Sequence, residues 1–222
     1  MSIAETTPEA RDELARLQGR LDLGYAGPGH IVREILPGGY PAYVRILHPF
    51  VNMSNGTDTR TWASMAAQIG LTLHGETYHG TLARADVTEG PRQWLAETGR
   101  LRLPVQNALA SVLAEVSGTS DVYFGYILSA QLPGWDEPIV ATAPLDGLED
   151  LQRRLDDEAD TQDGPEYWWP RDHAWVVCSD YDLTSTYVAC SEDVAQAIVA
   201  HPDIEALYVT PEMRIDSASD RS

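Results

Sequence analysis

Two apolar runs near the C-terminal end, Ala174–Ser179 (AWVVCS) and Thr184–Cys190 (TSTYVAC), leave this chain the least freedom. Only Asp180–Leu183 lie between them. A connection that short closes an antiparallel hairpin and cannot carry the crossover that parallel neighbours need. Ser191, Glu192 and Asp193 then offer a hydroxyl cap and two acids to a helix running to Ala200, and Ala206–Thr210 returns as a strand.

Upstream, Thr6-Thr7-Pro8-Glu9 starts a helix that carries Leu14, Leu17 and Leu21 and stops at Gly24. His30–Leu36 reads as extended, and Tyr40–Leu47 as a strand with Tyr43 and Arg45 alternating against Val44 and Ile46. Phe50–Arg60 reads as a polar loop, and Thr61 opens a helix through Ile69, ended by Gly70. Pro91–Thr98 reads as a helix carrying Trp94 and Leu95. The spacing of Val105, Leu109, Val112 and Val116 predicts a helix from Pro104. Val122–Leu128 and Ile139–Ala143 read as strands around a Pro-Gly-Trp turn at 133–135. Leu145–Leu155 is amphipathic, and Asp156–Asp163 an exposed loop. Helices and strands alternate irregularly, with no repeat or long linker. The pattern predicts an α+β fold, a mixed or mainly antiparallel sheet with helices packed on it. The 222 residues fall within the range of one folding unit, so a single domain is expected over residues 1–211 and a frayed polar tail over 212–222.

Charge narrows the partners. Asp and Glu number 34 against 15 basic residues, for a formal net charge of −19, and every basic residue is arginine. Without lysine there is no phosphate-loop, Schiff-base or kinase-type amine. The acidity opposes a nucleic-acid backbone and an anionic membrane surface; it keeps the chain soluble and, where it selects a partner, selects a basic one. No basic-then-apolar leader opens the sequence and no run of about eighteen apolar residues is present, so a cytoplasmic location is expected. No cofactor is expected, and oligomeric state is not readable.

The segment Tyr167–Trp175 (YWWPRDHAW) places three tryptophans next to the hairpin. Its rings can fill a core corner between loop and sheet. They can instead form a recognition surface, with Trp168, Trp169, Trp175 and Tyr187 as anchors and Asp172, Asp180 and Asp182 supplying charge. Together with YPAYVRILHP (40–49), TWASMAA (61–67) and STYVACS (185–191), this segment resembles a family of uncharacterised actinobacterial proteins. Members of that family look like FPAYARVLHP, then WWP-x-DRAW, an acidic EID stretch and TYVGGS. The present chain departs from that pattern at His173, at Asp180-Tyr181-Asp182 and at Ala189-Cys190. The resemblance implies a shared fold and no activity.

His74, Glu76 and His79 form the metal candidate, although the H-E-x-x-H helical spacing is absent. Cys178 and Cys190 are placed to face each other across the hairpin and read as buried, inert thiols. Asp180 and Asp182 share one side of an extended strand and could serve as an acid–base pair, bind a cation, or simply shape a turn. No nucleophile-elbow or dinucleotide motif occurs. The function expected is that of a non-catalytic acidic recognition protein, immunity- or antitoxin-like in composition, that binds a basic protein. The alternative is a small hydrolase, metal-dependent through His74, Glu76 and His79 or carboxylate-dependent through Asp180 and Asp182.

Overall fold

The computed structural model describes residues 6–27, 29–85, 93–117, 121–126, 138–159 and 164–216. Three helices start where a hydroxyl is available to their open N–H groups. Thr7 accepts from Ala10 N at 3.1 Å, Thr61 from Ser64 N at 3.1 Å, and Ser191 from Val194 N at 3.4 Å. They begin α1 (Pro8–Gln18), α3 (Trp62–Gln68) and α7 (Glu192–Ala200). The other helices are α2 (Val32–Ile35), α4 (His79–Ala85), α5 (Leu103–Ser117) and α6 (Leu148–Ala159).

Seven strands form one sheet: β1 (Ala42–Leu47), β5 (Val122–Tyr126), β6 (Ile139–Ala143), β7 (Tyr167–Pro170), β8 (Val176–Cys178), β9 (Ser185–Cys190) and β10 (Ala206–Val209). Their order is β10-β1-β9-β8-β7-β5-β6, and every neighbouring pair is antiparallel. A smaller antiparallel sheet of β2 (Phe50–Asn52), β3 (Thr59–Arg60) and β4 (Trp94–Ala96) lies beside it in the order β3-β2-β4. The chain is therefore an α+β fold with antiparallel sheets and helices packed on them.

The large sheet is covered on both faces. Ala42, Val44 and Ile46 of β1 face a core closed by Leu109 and Leu113 of α5, Leu155 of α6 and Ile198 of α7. Tyr43 turns the other way, into a core with Leu14 and Leu17 of α1 and Val32 of α2. Burial on both faces explains why β1 and β9 are buried at every position, where a half-exposed strand would alternate. A third cluster, around Phe50, Trp62, Met65 and Trp94, fills the space under the small sheet.

Several local expectations give way. Val32–Ile35 is a helical turn, closed by the Glu34 carboxylate accepting from Ile31 N at 2.8 Å. The loop expected at Phe50–Arg60 is the hairpin of β2 and β3. The helix expected at Pro91–Thr98 is strand β4, paired through Asn52↔Trp94, and its first two residues lie outside the described residues. Helix α6 continues through the first part of the loop expected at Asp156–Asp163. Residues 160–163 of that loop, Ile127 and Leu128 and the turn at 133–135 lie outside the described residues. The tail expected to fray from Glu212 is held as far as Asp216. Val32 N donates to Met213 O at 3.0 Å, Ile215 N to His30 O at 3.0 Å, and Arg214 bridges Ile31. Among the described residues no helix is long and apolar enough to cross a membrane.

Candidate functional site

The aromatic segment is core. Trp168 is 2% exposed, Trp169 and Trp175 0%, and Tyr187 1%. Trp168 and Trp169 are adjacent on β7 and so point to opposite faces. Trp168 packs on Phe124, and Trp169 stacks on Tyr123 with ring centroids 5.6 Å apart. Two residues that open in opposite directions cannot build one recognition surface, so the anchor role expected of these four side chains is withdrawn. After Pro170 the chain turns back on itself. Asp172 Oδ1 accepts from Ala174 N at 3.0 Å, and His173 sits at φ 52° with its Nε2 3.2 Å from Glu13 Oε2. The expected charge suppliers also separate. Exposed Asp172 lies at one end of β8, and Asp180 and Asp182 lie at the other.

The metal candidate does not assemble. Exposed His74 accepts from Glu76 N at 3.3 Å, and Glu76 Oε1 accepts from Arg214 N at 2.8 Å, fixing the C-terminal segment. His79 turns away toward Thr184, with Nδ1 3.4 Å from its Oγ1. Among the described residues no three His, Cys, Asp or Glu side chains gather as metal ligands. The two cysteines do not face each other either. The β8–β9 register pairs Cys178 with Tyr187, which sends Cys178 to the α1 face and Cys190 to the α5–α7 face. Burial raises both thiols, Cys190 to about 12, with the Glu192 charge adding to its shift.

What the fold does bring together is a cleft of about 400 Å³ on the α1–α2 side of the sheet. One wall is the β8–β9 turn with Asp180 and Asp182; another is Glu34 of α2 with Arg214 and Asp216 of the C-terminal segment. Thr77, Tyr78 and His79 close it from the small-sheet side. Asp182 N donates to Asp180 Oδ1 at 3.3 Å, so the turn holds the two carboxyls side by side. Burial, and then the neighbouring Asp182, raise Asp180 to about 6. Burial, with the positive charge of Arg45 behind it, lowers His79.

Arg45, in the middle of β1, lines the cleft and is 6% exposed. Its Nε donates to Ser185 Oγ at 2.8 Å, and its Nη1 to the carbonyls of Gly75 and Thr77, each at 2.9 Å. Its guanidinium carbon lies 4.9 Å from the centroid of the Trp62 ring. All these partners are neutral. Among the described residues no carboxylate pairs with it.

Sequence reasoning placed Arg45 on a polar strand face and so passed over it. The available signal was a lone arginine inside an apolar run. His48, also passed over, is 2% exposed, with Nε2 2.9 Å from Thr186 Oγ1, and burial lowers it to about 4. Its place is structural: Nε2 joins a buried chain through Thr186 to Ser179, while Nδ1 is buried without a hydrogen-bond partner among the described residues. A wider groove of about 840 Å³ runs between α5 and α6, where Arg102 is already bound to Glu97 through two contacts of 2.7 Å. Comparison with protein-family models, curated proteins and solved structures gives no match.

Proposed function

We propose that the protein is a non-catalytic recognition domain that engages a basic segment of another protein through the β8–β9 turn and the cleft behind it. The observation that carries this reading is the pair of carboxylates, Asp180 and Asp182, held together on one cleft, with Glu34 and Asp216, each bonded within the protein, behind them. Tyr181, 50% exposed between the two turn aspartates, is an aromatic anchor of the kind interfaces favour. The buried tryptophans make the platform on which that turn stands. A chain of net charge −19 also speeds encounter with a cationic partner. A cytoplasmic setting and the absence of nucleic-acid binding belong to the same proposal.

The test is affinity capture from host lysate at low and high salt with three proteins. These are the wild type, a Tyr181→Ala/Asp182→Asn variant, and a control in which exposed Asp193 and Asp203, at either end of α7, become Asn. A basic protein held by wild type and control at low salt, released at high salt and lost by the turn variant supports the reading. Equal loss in the control reduces the binding to bulk acidity and defeats it.

A carboxylate-dependent hydrolase is the second reading. Asp180, held near 6 beside Asp182 in a cleft, resembles the arrangement that divides acid and base roles between two carboxyls. Turnover of an ester, amide or glycoside that disappears in Asp182→Asn would displace the first reading.

A further inference from the structure

The cleft carries unlike charges. The turn aspartates supply the anionic ones, as recognition of a basic segment requires. Arg45 lines it as well, and its burial is not matched by a carboxylate among the described residues. A guanidinium removed from water is costly unless it is paired. Nε and Nη1 use three N–H groups on Ser185, Gly75 and Thr77. Nη2 keeps two donors without a described partner, yet it is not among the buried polar atoms cut off from solvent, so it faces the cleft. The approach is rigid. An added Cβ at Gly75, which gives Arg45 its carbonyl, would come within 2.9 Å of Val209 Cγ1 and 3.2 Å of Tyr208 O. The donor is thus set by close-packed backbone against β10. A cation fixed in this way, with both N–H groups of Nη2 open to a cavity, lacks an anionic oxygen acceptor.

We propose that Arg45 binds the carboxylate of a cationic ligand lodged in this cleft, with the Asp180–Asp182 turn receiving the ligand's positive charge. Resting on the reading of a basic partner, this assigns the partner's contact to a basic segment ending in a free C-terminal carboxylate. Free arginine, which has the same two groups, is the other source of that chemistry. The hydroxyl of Thr184, beside His79 in the cleft wall, adds a donor on the Arg45 side. The volume of about 400 Å³ suits a few ligand residues and not a folded surface.

Calorimetric titration of the whole protein with an N-acetylated tetrapeptide, RAAR, against its C-terminal amide tests the assignment. The amide has one more net positive charge, so a protein of net charge −19 attracts it more strongly by bulk electrostatics. Preference for the acid must therefore come from a local cation. The expected result is that the acid binds about tenfold or more tightly than the amide. The preference should fall sharply in Arg45→Lys, whose single ammonium cannot keep the Ser185, Gly75 and Thr77 contacts and still reach the cleft. Free L-arginine, titrated alongside, identifies the source: binding as tight as the tetrapeptide assigns the site to the amino acid, and weaker binding to a chain terminus. Equal affinity for acid and amide overturns the role of Arg45 and leaves recognition of basic segments standing. No binding of either peptide overturns both. If Arg45→Lys does not fold, Arg214→Gln, which removes the cleft's other cation, decides: a retained preference for the acid assigns it to Arg45, and a lost one overturns the role.

Discussion

The two adjacent tryptophans of β7 differ in one respect that can be measured. Trp168 Nε1 donates to Pro165 O at 3.2 Å, whereas Trp169 Nε1 is buried with no partner among the described residues. Replacing either ring with Phe gives up roughly 40 Å² of buried apolar area, about 1 kcal/mol at about 25 cal/mol per Å². At Trp169 that loss is offset, because an unsatisfied buried N–H costs about 1–3 kcal/mol and Phe removes it. The stacking on Tyr123 is open to a phenyl ring as well. Trp169→Phe should therefore fall between no change and about 2 kcal/mol of added stability. At Trp168 the same exchange breaks a hydrogen bond and leaves the Pro165 carbonyl without its partner, for a loss of about 2–3 kcal/mol. Cavity contributions are common to both and largely cancel in the comparison. Urea unfolding of the two variants, followed by far-ultraviolet circular dichroism, reads the gap as a displacement of the midpoint at unchanged slope. Trp169→Phe as destabilising as Trp168→Phe would refute the claim that the Trp169 N–H is an energetic burden.

Further predictions concern ionisation and the thiols. Asp180, raised from 3.8 to about 6, binds its proton more tightly in the folded state, so its contribution favours folding as pH falls through 6 toward 3.8. His48, lowered from 6.5 to about 4, does the reverse and costs stability as pH falls from 6.5 toward 4. The two oppose each other over the same interval. Asp180→Asn should steepen the acid loss of stability between pH 6 and 4, and His48→Gln should flatten it; parallel pH profiles for wild type and both variants would contradict the assignments. Cys178 and Cys190 are buried on opposite faces, and burial raises both thiols. Neither should react with a disulfide reagent in the folded protein, and both should react in guanidinium. Reaction faster than global unfolding would show that one of them is reachable.

The sequence by itself determined the elements that close on near neighbours. The helix starts at Thr7, Thr61 and Ser191 depend on hydroxyls reaching an N–H three residues ahead. The β8–β9 hairpin depends on a turn of a few residues, where Leu183 N donates to Asp180 O at 3.1 Å. These interactions are complete within a few residues, so local chemistry is sufficient to specify them. The α+β class followed because such elements alternate without a regular crossover pattern.

Only the tertiary structure decided what required partners from far along the chain. β4 is a strand because Asn52 pairs with Trp94, and nothing in the three residues of β4 outweighed the helical appearance of their surroundings. Cys178 and Cys190, expected to face each other across the hairpin, fall on opposite faces because Cys178 pairs with Tyr187, an odd number of residues short of Cys190, and a shift of one residue exchanges the faces of a strand. The tryptophans became core once α1 and α5–α7 covered the two faces of the sheet. The cleft joins α2, β1, the segment before α4, the β8–β9 turn and residues 214–216, so no local window contains it. Arg45 shows the reason most clearly. In sequence it is a polar residue alternating in a strand; in the fold it is a buried cation, because burial is a property of everything packed around a residue and not of the residues beside it.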